Sequence, residues 1–288
     1  MFINKGMQKF MIYLHILLLS VIIIPFVLSA YNISRKRGIK RKENLLRNTK
    51  FLVPEVEDSE IIPKKIFQCY KTIDGVPNKV ITNLKNLNPD WEYNLYDDKM
   101  CIEFLDKYYG KKYSDKFKSI KKGAHKADLW RLCALYMYGG AYIDVDYELL
   151  VPLDSIIENE TFITPYTNTF LTRIVNANNI YNAFIITKPK HPIIYDCIQR
   201  IMRTSVELME YDYLVNVRRM KHAVKKFLDV KKLKTKTYHD KKTKILHEYW
   251  SKLPYKWSVY DYDLNRNIAN SKYNNYSYSS DSKSGEFK

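Results

Sequence analysis

The sequence is poor in glycine, proline and cysteine, and each shortage excludes a class of protein. Among 288 residues there are eight glycines and ten prolines, too few for a collagen-like or low-complexity chain. The four cysteines, Cys69, Cys101, Cys133 and Cys197, form no CxxC pair, so neither a disulfide framework nor a zinc motif is indicated. Apolar residues make up 46% of the chain, which suffices for one core of ordinary size. We therefore expect one folded domain with appendages.

The formal net charge of +17 is unevenly distributed along the chain. Residues 43–217 hold 22 Lys and Arg against 24 Asp and Glu, residues 35–42 hold six basic residues, and residues 218–244 hold twelve against two acids. This distribution suits an anionic membrane surface or an acidic ligand better than a groove shaped for DNA, so we expect no nucleic-acid partner. Residues 218–244 are interpreted either as a solvated helix face or loop, or as an acceptor-binding or membrane-binding insertion.

One long apolar run lies near the amino terminus. Residues 10–31 are long enough to cross a hydrocarbon core of about 30 Å, and residues 1–31 are predicted to be a single-pass membrane anchor. A cleaved signal peptide is the alternative, although its apolar core spans only about 7 to 15 residues. The positive-inside rule places the rest of the chain in the cytosol, which conflicts with a lumenal enzyme. The glycosylation sequons at Asn32, Asn159 and Asn275 are usable only in a lumenal domain, and the topology stays open.

The remaining sequence indicates an α/β fold behind a polar stem. The stem is predicted over residues 32–60, the folded domain over 61–260 and a tail rich in Ser, Asn and Tyr over 261–288. Helical and strand patterns alternate within the domain, which is typical of layered α/β proteins. Predicted strands cover residues 64–70, 91–96, 141–147 and 180–187, and predicted helices cover residues 77–87, 99–109, 125–138 and 192–209.

Two charged residues interrupt an otherwise apolar helix. Between Ala127 and Tyr138 almost every side chain is apolar or aromatic except Asp128 and Arg131, which indicates a helix buried on most sides. The two residues are three positions apart and share a face, and buried charges are costly unless they are paired or ligated. They form either an internal salt bridge or the wall of a polar cleft that binds a charged ligand.

The predicted strand after Gly139 and Gly140 ends in two acids. Because side chains alternate along a strand, we expect Asp144 and Asp146 to project to one face and Val145 to point into the core. Two neighbouring carboxylates repel each other unless a cation lies between them, and such oxygen ligands suit Mg²⁺ or Mn²⁺. A DXD triplet alone is a weak signal, but its place directly after a buried charged helix favours a metal site.

Four segments resemble the DXD-containing, sugar-binding glycosyltransferases of family 32, and their order is similar to the catalytic core of the large clostridial glucosylating toxins. The segments are IPKKIFQCYKT, NPDWEYNLYDD, KADLWRLCALYMYGGAYIDVDYELLVPLD and NAFIITKPKHP. The resemblance implies a GT-A fold, which is a Rossmann-like nucleotide-sugar-binding α/β fold. It also implies a UDP- or GDP-sugar donor, Mn²⁺ or Mg²⁺, a glycan, lipid or protein acceptor, and transfer with retention of anomeric configuration. A membrane location of the Golgi or ER type follows from the same resemblance.

The resemblance also implies roles for individual residues. Asp144 and Asp146 would hold the metal and the ribose, Asp128 and Arg131 would contact sugar hydroxyls, and Asn182 would reach the sugar. For Asn182 the alternative is a turn or strand-edge amide.

Two residues at the end of the first predicted strand would border the nucleotide. They are Gln68 and Tyr70. The alternative for Gln68 is a hydrogen bond to neighbouring backbone, and the alternative for Tyr70 is packing in the core.

The carboxyl-terminal part departs from the family pattern. Family members close the site with a His-containing stretch before a Ser-Trp pair, whereas this chain has HEYWSKLPYKW. Either Trp250 or Trp257 would cover the diphosphate, and His247 would complete the metal shell, with the register left open.

Two other function classes are compatible with parts of the sequence. A phosphatase can also place a DXD triplet at a strand end, but it would need Thr or Val where this chain has Glu148. A membrane-anchored binder of anionic polymers would use the basic segments without catalysis.

Overall fold

The computed structural model describes residues 5–167, 179–229, 238–240, 242–251 and 256–271, and the chain divides into two units, Met1–Thr49 and Lys50–Lys288. Helix α1, Lys5–Leu46, forms the first unit. It continues through the first half of the predicted stem, since residues 32–46 are rich in the good helix formers Arg, Lys, Glu and Leu.

Residues 5–31 of the predicted anchor fall within α1, but residues 1–4 and the side chains of residues 5–12, 14–19 and 22 lie outside the described part of the chain. Within the part of the chain that was described, no helix has both the length and the apolar character needed to cross a bilayer. The anchor over residues 1–31 stays a prediction.

The second unit contains a mixed sheet with helices on both sides, so the predicted α/β class is confirmed. Its strands are β1 Lys65–Cys69, β2 Glu92–Tyr96, β3 Gly140–Ile143, β4 Tyr147–Leu149, β5 Phe162–Thr167, β6 Asn179–Ile180, β7 Phe184–Thr187, β8 Tyr238–Asp240, β9 Thr243–Ser251, β10 Lys256–Asp261 and β11 Arg266–Ser271. Its helices are α2 Asn78–Leu87, α3 Asp98–Tyr109, α4 Lys111–Ser119, α5 Gly123–Tyr138, α6 Pro192–Arg203, α7 Val206–Tyr211 and α8 Val215–Phe227.

The strand order is β2-β1-β3-β7-β5-β9-β10-β11-β4, with β6 beside β5 and β8 beside β9. Strands β1, β2 and β3 are parallel, so their carboxyl ends lie at one edge of the sheet. Strand β4 follows β3 after only residues 144–146, yet lies six positions away in the strand order. The sheet must therefore curl until its far end returns to the carboxyl end of β3.

Alternating side chains of the strands feed two cores on opposite faces of the sheet. Phe67 and Tyr142 join the core on the side of α3 to α8. Ile66 and Ala141, their neighbours in sequence, join the core that contains Leu84 of α2. The alternation follows from the two-residue period of a strand, and it places α2 and α8 on opposite sides of the sheet.

Most predicted elements of the amino-terminal half agree with the structure to within two residues, namely β1, β2, α2, α3 and α5. The side chain of Asp97 caps α3 by accepting a hydrogen bond from the backbone N of Met100 at 2.8 Å. The single helix predicted over residues 192–209 is instead two, because Ser205 caps a new helix through the backbone N of Leu208. The strand predicted over residues 180–187 is likewise interrupted between β6 and β7.

The second half of the predicted stem packs onto the folded unit. The backbone N of Phe51 donates to Oε1 of Gln199 at 2.8 Å, and Nε2 of Gln199 donates to the carbonyl of Phe51 at 2.7 Å. The ammonium of Lys188 contacts Asp58 at 2.8 Å and Glu60 at 2.7 Å. Residues 50–60 therefore differ from a free stem, because their polar groups find partners across the chain.

The sheet extends beyond the predicted end of the domain at residue 260. Strand β11 lies within the segment that was predicted as a tail, and it pairs with β10 and β4. Its Ile268 and Ala269 are fully buried. Residues 272–288 lie outside the described residues.

A close approach between β1 and β3 requires glycine at position 140. Gly140 has φ of +95°, and a Cβ atom there would lie 2.4 Å from the carbonyl oxygen of Lys65. Gly139 also has positive φ, at +63°, and ends α5. The two glycines thus turn the chain from helix into strand without a side-chain clash.

We expect Gly140→Ala to lower the free energy of unfolding by about 2 kcal/mol or more, because the new methyl group meets backbone that cannot move away. Urea denaturation measures the change. Gly123→Ala is the matched control, since a Cβ at Gly123 has nothing within 4 Å. Equal stability of Gly140→Ala and the unmodified protein would contradict the geometry.

A buried histidine makes stability depend on pH. His191 is 6% exposed, caps α6 by accepting from the backbone N of Ile193 at 3.3 Å, and stacks on Phe162. Burial, followed by the charge of Lys188, lowers its pKa from 6.5 to about 4. Between these two values the unfolded chain binds a proton that the native chain does not, so stability is lost as the pH falls through this window.

We expect the free energy of unfolding to fall by up to about 3 kcal/mol from this group between pH 6.5 and pH 4. His191→Asn removes the titration and retains a side chain that can cap the helix, so its stability should depend less on pH in this window. Urea denaturation at several pH values tests the difference. Identical pH dependence of the two proteins would contradict the prediction.

Candidate active site

A buried guanidinium joins helix α5 to the turn that follows β3. Arg131 is 3% exposed, and its Nη2 lies 3.3 Å from Oδ1 of Asp128 and 3.2 Å from Oδ1 of Asp144. Its Nη1 donates to the backbone carbonyl of Asn182 at 2.5 Å. The structure thus brings together four predicted site residues, and the salt bridge within α5 also includes the first acid of the DXD triplet.

Tyr142 completes the surroundings of this guanidinium and was not predicted. Its ring centroid lies 4.3 Å from Cζ of Arg131, and its hydroxyl donates to Oδ1 of Asp144 at 2.8 Å. The contact is a cation–π interaction in a buried place, where such contacts are strongest. The sequence contained a signal for this contact, because Tyr142 precedes Asp144 by two residues and side chains two apart in a strand point to the same face.

Asp128 accepts hydrogen bonds on both carboxylate oxygens. Nδ2 of Asn182 donates to Oδ1 at 2.8 Å, and Nδ2 of Asn216 donates to Oδ2 at 3.1 Å. Nδ1 of His125 lies 3.4 Å from the same Oδ2, while its Nε2 is 2.9 Å from the carbonyl of Met209. Sequence reasoning missed His125, which shares the helix face, and Asn216, which lies 88 positions away.

The network determines the charges of its members. Burial alone would raise the pKa of Asp128, but Arg131 and His125 hold that pKa below its usual value. Burial opposes the charge of Arg131, and Asp144, Tyr142 and Asp128 together raise its pKa above the usual range. Asp128 and Arg131 are therefore an ionised pair in the interior of the protein.

The two acids of the DXD triplet lie in a turn, so the strand predicted over residues 141–147 was wrong for residues 144–146. Strand β3 ends at Ile143, the backbone N of Asp144 donates to the carbonyl of Ala183 at 2.8 Å, and the backbone N of Tyr147 donates to the carbonyl of Asp144 at 3.1 Å. The turn is needed because the chain leaves β3 for β4 at the other end of the strand order. Val145 is buried as predicted.

The two carboxylates influence each other electrostatically, as expected of a pair that holds a cation. Burial and then the charge of Asp144 raise the pKa of Asp146 to about 7. Burial also raises the pKa of Asp144, although Arg131 and Tyr142 oppose the shift. Both side chains remain half-buried, so an ion could reach them. The donor set consists of hard oxygens, which fits Mn²⁺ or Mg²⁺.

A third carboxylate, Glu248 of β9, is near enough to Asp146 to interact with it electrostatically. It accepts a hydrogen bond from the hydroxyl of Tyr147 at 3.2 Å and another from the hydroxyl of Thr167. Burial raises its pKa to about 8, with Asp146 adding to the shift and both hydroxyls opposing it. Sequence reasoning overlooked Glu248 although it follows His247 directly.

His247 has a different environment from Glu248, because neighbours in a strand point to opposite faces. Its ring stacks on Tyr249 at 6.0 Å and lies 5.8 Å from Tyr262. Among the residues whose side chains are described, no three His, Cys, Asp or Glu form a group that could hold a metal ion. The structure therefore does not join His247 to the Asp144–Asp146 pair. The backbone of Trp250 lies in β9, and its side chain is outside the described residues.

Gln68 and Tyr70 lie at the carboxyl end of β1, as predicted. Gln68 is fully buried, donates through Nε2 to the carbonyl of Ile143 at 2.9 Å and accepts from the hydroxyl of Tyr93 at 2.7 Å. Tyr70 packs on the apolar cluster that contains Val145. Gln68 thus contacts the residue before the turn between β3 and β4, and Tyr70 packs on the apolar cluster that includes the middle residue of that turn.

Comparison with known proteins finds similarities over the same region. Residues 76–163 match the family model described as a glycosyltransferase sugar-binding region containing a DXD motif. The inositol phosphoceramide mannosyltransferase 1 of Schizosaccharomyces pombe is 27% identical over 152 residues, which are 51% of this chain and 44% of that protein. The initiation-specific alpha-1,6-mannosyltransferase of Saccharomyces cerevisiae is 29% identical over 137 residues, which are 43% of this chain and 28% of that protein.

The chain spans less than half the length of these two curated relatives. Among solved structures, the PaToxG glycosyltransferase matches with a TM-score of 0.42 and 17% identity, over 69% of this chain and 80% of that one. The matched residues 76–163 contain Asp128, Arg131, Asp144 and Asp146. The resemblance predicted from the sequence is therefore confirmed over residues 76–163, which are similar to the sugar-binding region of the DXD-containing glycosyltransferases.

Proposed function

We propose that the protein is a metal-dependent retaining glycosyltransferase with a GT-A fold. It transfers a hexosyl or N-acetylhexosaminyl group from a UDP- or GDP-sugar to a hydroxyl of a glycan, lipid or protein. The observation that carries the proposal is the buried contact of Arg131 with both Asp128 and Asp144, at the carboxyl edge of three parallel strands. Ligands of open α/β sheets bind at this edge.

The sugar of the donor is assigned to the side of α5. Asp128 is an ionised acceptor whose direction is fixed by Asn182 and Asn216, and a hydroxyl of the bound sugar would replace one of the contacts that this carboxylate makes here. Arg131 keeps Asp128 charged and links it to the diphosphate side at Asp144. Arg131 thus connects the residue proposed to bind the sugar with the residue proposed to bind the leaving group.

The diphosphate is assigned to the Asp144–Asp146 turn. Burial raises the pKa of Asp146 and the charge of Asp144 adds to the rise, so a bound Mn²⁺ or Mg²⁺ would relieve the repulsion between the two carboxylates. When bound, the ion supplies Lewis-acid stabilisation of the negative charge on the departing diphosphate. Arg131 provides a fixed positive charge beside Asp144, and its burial makes that charge act through a medium of low dielectric constant.

The proposed reaction breaks the bond between the anomeric carbon and the diphosphate oxygen and forms a bond from that carbon to the acceptor oxygen on the same face. The acceptor proton passes to the departing phosphate oxygen, so a nucleoside diphosphate and a glycoside are the products. The names of the two relatives above make mannose the first sugar to test. Anchoring through residues 10–31 completes the proposal, with the side of the membrane open between a lumenal domain and the cytosolic placement given by the positive-inside rule.

We expect Asp144→Asn to reduce the release of nucleoside diphosphate from the donor by at least about a hundredfold, because the metal pair and the contact with Arg131 are both weakened. The assay uses the full chain in detergent with Mn²⁺ and a panel of UDP- and GDP-sugars that includes GDP-mannose. Asp115→Asn is the matched control, since Asp115 is exposed on α4 and pairs only loosely with Lys118 at 3.9 Å. Undiminished turnover by Asp144→Asn would refute the assignment.

We expect metal removal to have two separate effects. Chelation by EDTA should abolish donor turnover, and added Mn²⁺ should restore it. Saturating Mn²⁺ should also raise the melting temperature of the full chain, because a ligand that binds only the folded state stabilises it. The rise should be absent from the double variant Asp144→Asn and Asp146→Asn, and an equal rise in that variant would place the metal elsewhere.

A further inference from the structure

Helix α8 presents a stripe of basic residues on its outer face. The helix carries five Lys and Arg and no acid. Its buried face consists of Val215, Asn216, Met220, Ala223 and Val224. Arg218, Lys221, His222 and Lys225 recur at a spacing of three and four residues, so they line one face away from the core.

Large apolar side chains are exposed immediately before this stripe. Tyr211 is 48% exposed, Tyr213 39% and Leu214 41%. Aromatic and aliphatic side chains beside a row of Lys and Arg are typical of surfaces that lie in a membrane interface. We call Tyr211, Tyr213, Leu214, Arg218, Lys221 and Lys225 the α7–α8 surface.

The α7–α8 surface has an excess of positive charge. Asp212 pairs with Arg218, but the following two turns of α8 contribute only cations. Burial lowers the pKa of Lys221, and the charges of Lys225 and Arg218 lower it further. Burial likewise lowers the pKa of His222, with four neighbouring cations adding to the effect. An anionic surface would be attracted to this group of like charges.

The inner face of the same helix belongs to the candidate active site. Asn216 is fully buried and donates to Asp128 at 3.1 Å, and Tyr213, which precedes the helix, contacts the ring of His125 at 5.8 Å. The basic residues on the outer face of α8 are therefore separated from Asp128 by about the diameter of one helix, roughly 10 Å.

We propose that the α7–α8 surface docks on the headgroups of an anionic lipid bilayer, with Arg218, Lys221 and Lys225 against the phosphates and with Tyr211, Tyr213 and Leu214 in the interface. A bilayer is chosen as the partner for two reasons. Its anionic headgroups complement the basic residues, and it would bury the exposed apolar residues, which a soluble polyanion would leave in water. This inference goes beyond the proposed function and does not depend on it.

The test is amine-reactive labelling of the full chain reconstituted in vesicles, read at each lysine by mass spectrometry. Vesicles of phosphatidylcholine alone are compared with vesicles that contain about 30% phosphatidylserine. We expect labelling of Lys221 and Lys225 to fall at least about threefold on the anionic vesicles, and the protection to weaken at about 0.5 M salt.

Two exposed lysines of α2, Lys79 and Lys85, serve as the control within the same molecule, because α2 packs on the opposite side of the sheet. Their labelling should not change. Equal labelling of Lys221 and Lys225 on both kinds of vesicle would overturn the proposal, and so would an equal fall at Lys79 and Lys85. Donor turnover in detergent is measured separately, so that failure of the proposed function and failure of docking are distinguishable.

The double variant Tyr211→Ser and Leu214→Ser tests the apolar part of the surface. Serine at position 214 can cap α8, so the helix should be retained, and an unchanged melting temperature checks the fold. We expect the protection of Lys221 and Lys225 to fall at least about twofold in this variant. Undiminished protection, or equal protection of the unmodified chain by a soluble RNA oligonucleotide, would show simple attraction of polyanions and overturn docking on a bilayer.

Discussion

The buried charge of Arg131 is the constraint on which the arrangement of the site depends. It neutralises Asp128 in the interior and contacts Asp144 at the start of the DXD turn. Without this cation two carboxylates with restricted access to water would lie near each other uncompensated, and loss of one partner of a buried pair costs about 3 to 5 kcal/mol. The same charge lowers the pKa of Asp128 and opposes the rise in that of Asp144. A single side chain therefore sets both the packing of α5 against the sheet and the ionisation of the two acids.

The curl of the sheet brings Glu248 and Tyr147 close to the DXD turn. Residues 144–146 connect two strands that lie six positions apart in the strand order, so the turn has its position only when the whole path from β7 to β11 has formed. Glu248 reaches Tyr147 and the vicinity of Asp146 through this closure. The site is consequently built from contacts between residues about a hundred positions apart, and its geometry depends on long-range pairing more than on the local conformation of the DXD triplet.

Local signals in the sequence were sufficient for much of the fold and for the centre of the site. Asp97, the apolar pattern of α5 and the two glycines after it predicted helix ends, burial and the place where the acids emerge. The strand predicted through Asp144 and Asp146 was wrong because a strand pattern does not reveal where a sheet curls. Asn216 had no local signal, since its importance comes from a contact with Asp128 across the chain. The register of residues 247 and 248 was equally invisible, because a shift of one residue exchanges the two faces of a strand.

Part of the basic excess of the chain lies on helix α8. A core that is electrically balanced allows the acids of the site to keep their local partners, whereas an excess of cations near Asp128 would compete with Arg131 for that carboxylate. The basic residues lie on the outer face of α8 and the neutral Asn216 lies on its inner face. The width of the helix therefore separates these cations from the Asp128–Arg131 ion pair. An anionic surface attracted to the outer face would therefore approach Asp128 without disturbing its ion pair with Arg131. One helix therefore carries both the outer basic face proposed to dock on headgroups and Asn216, whose side chain holds Asp128 of α5 by a hydrogen bond.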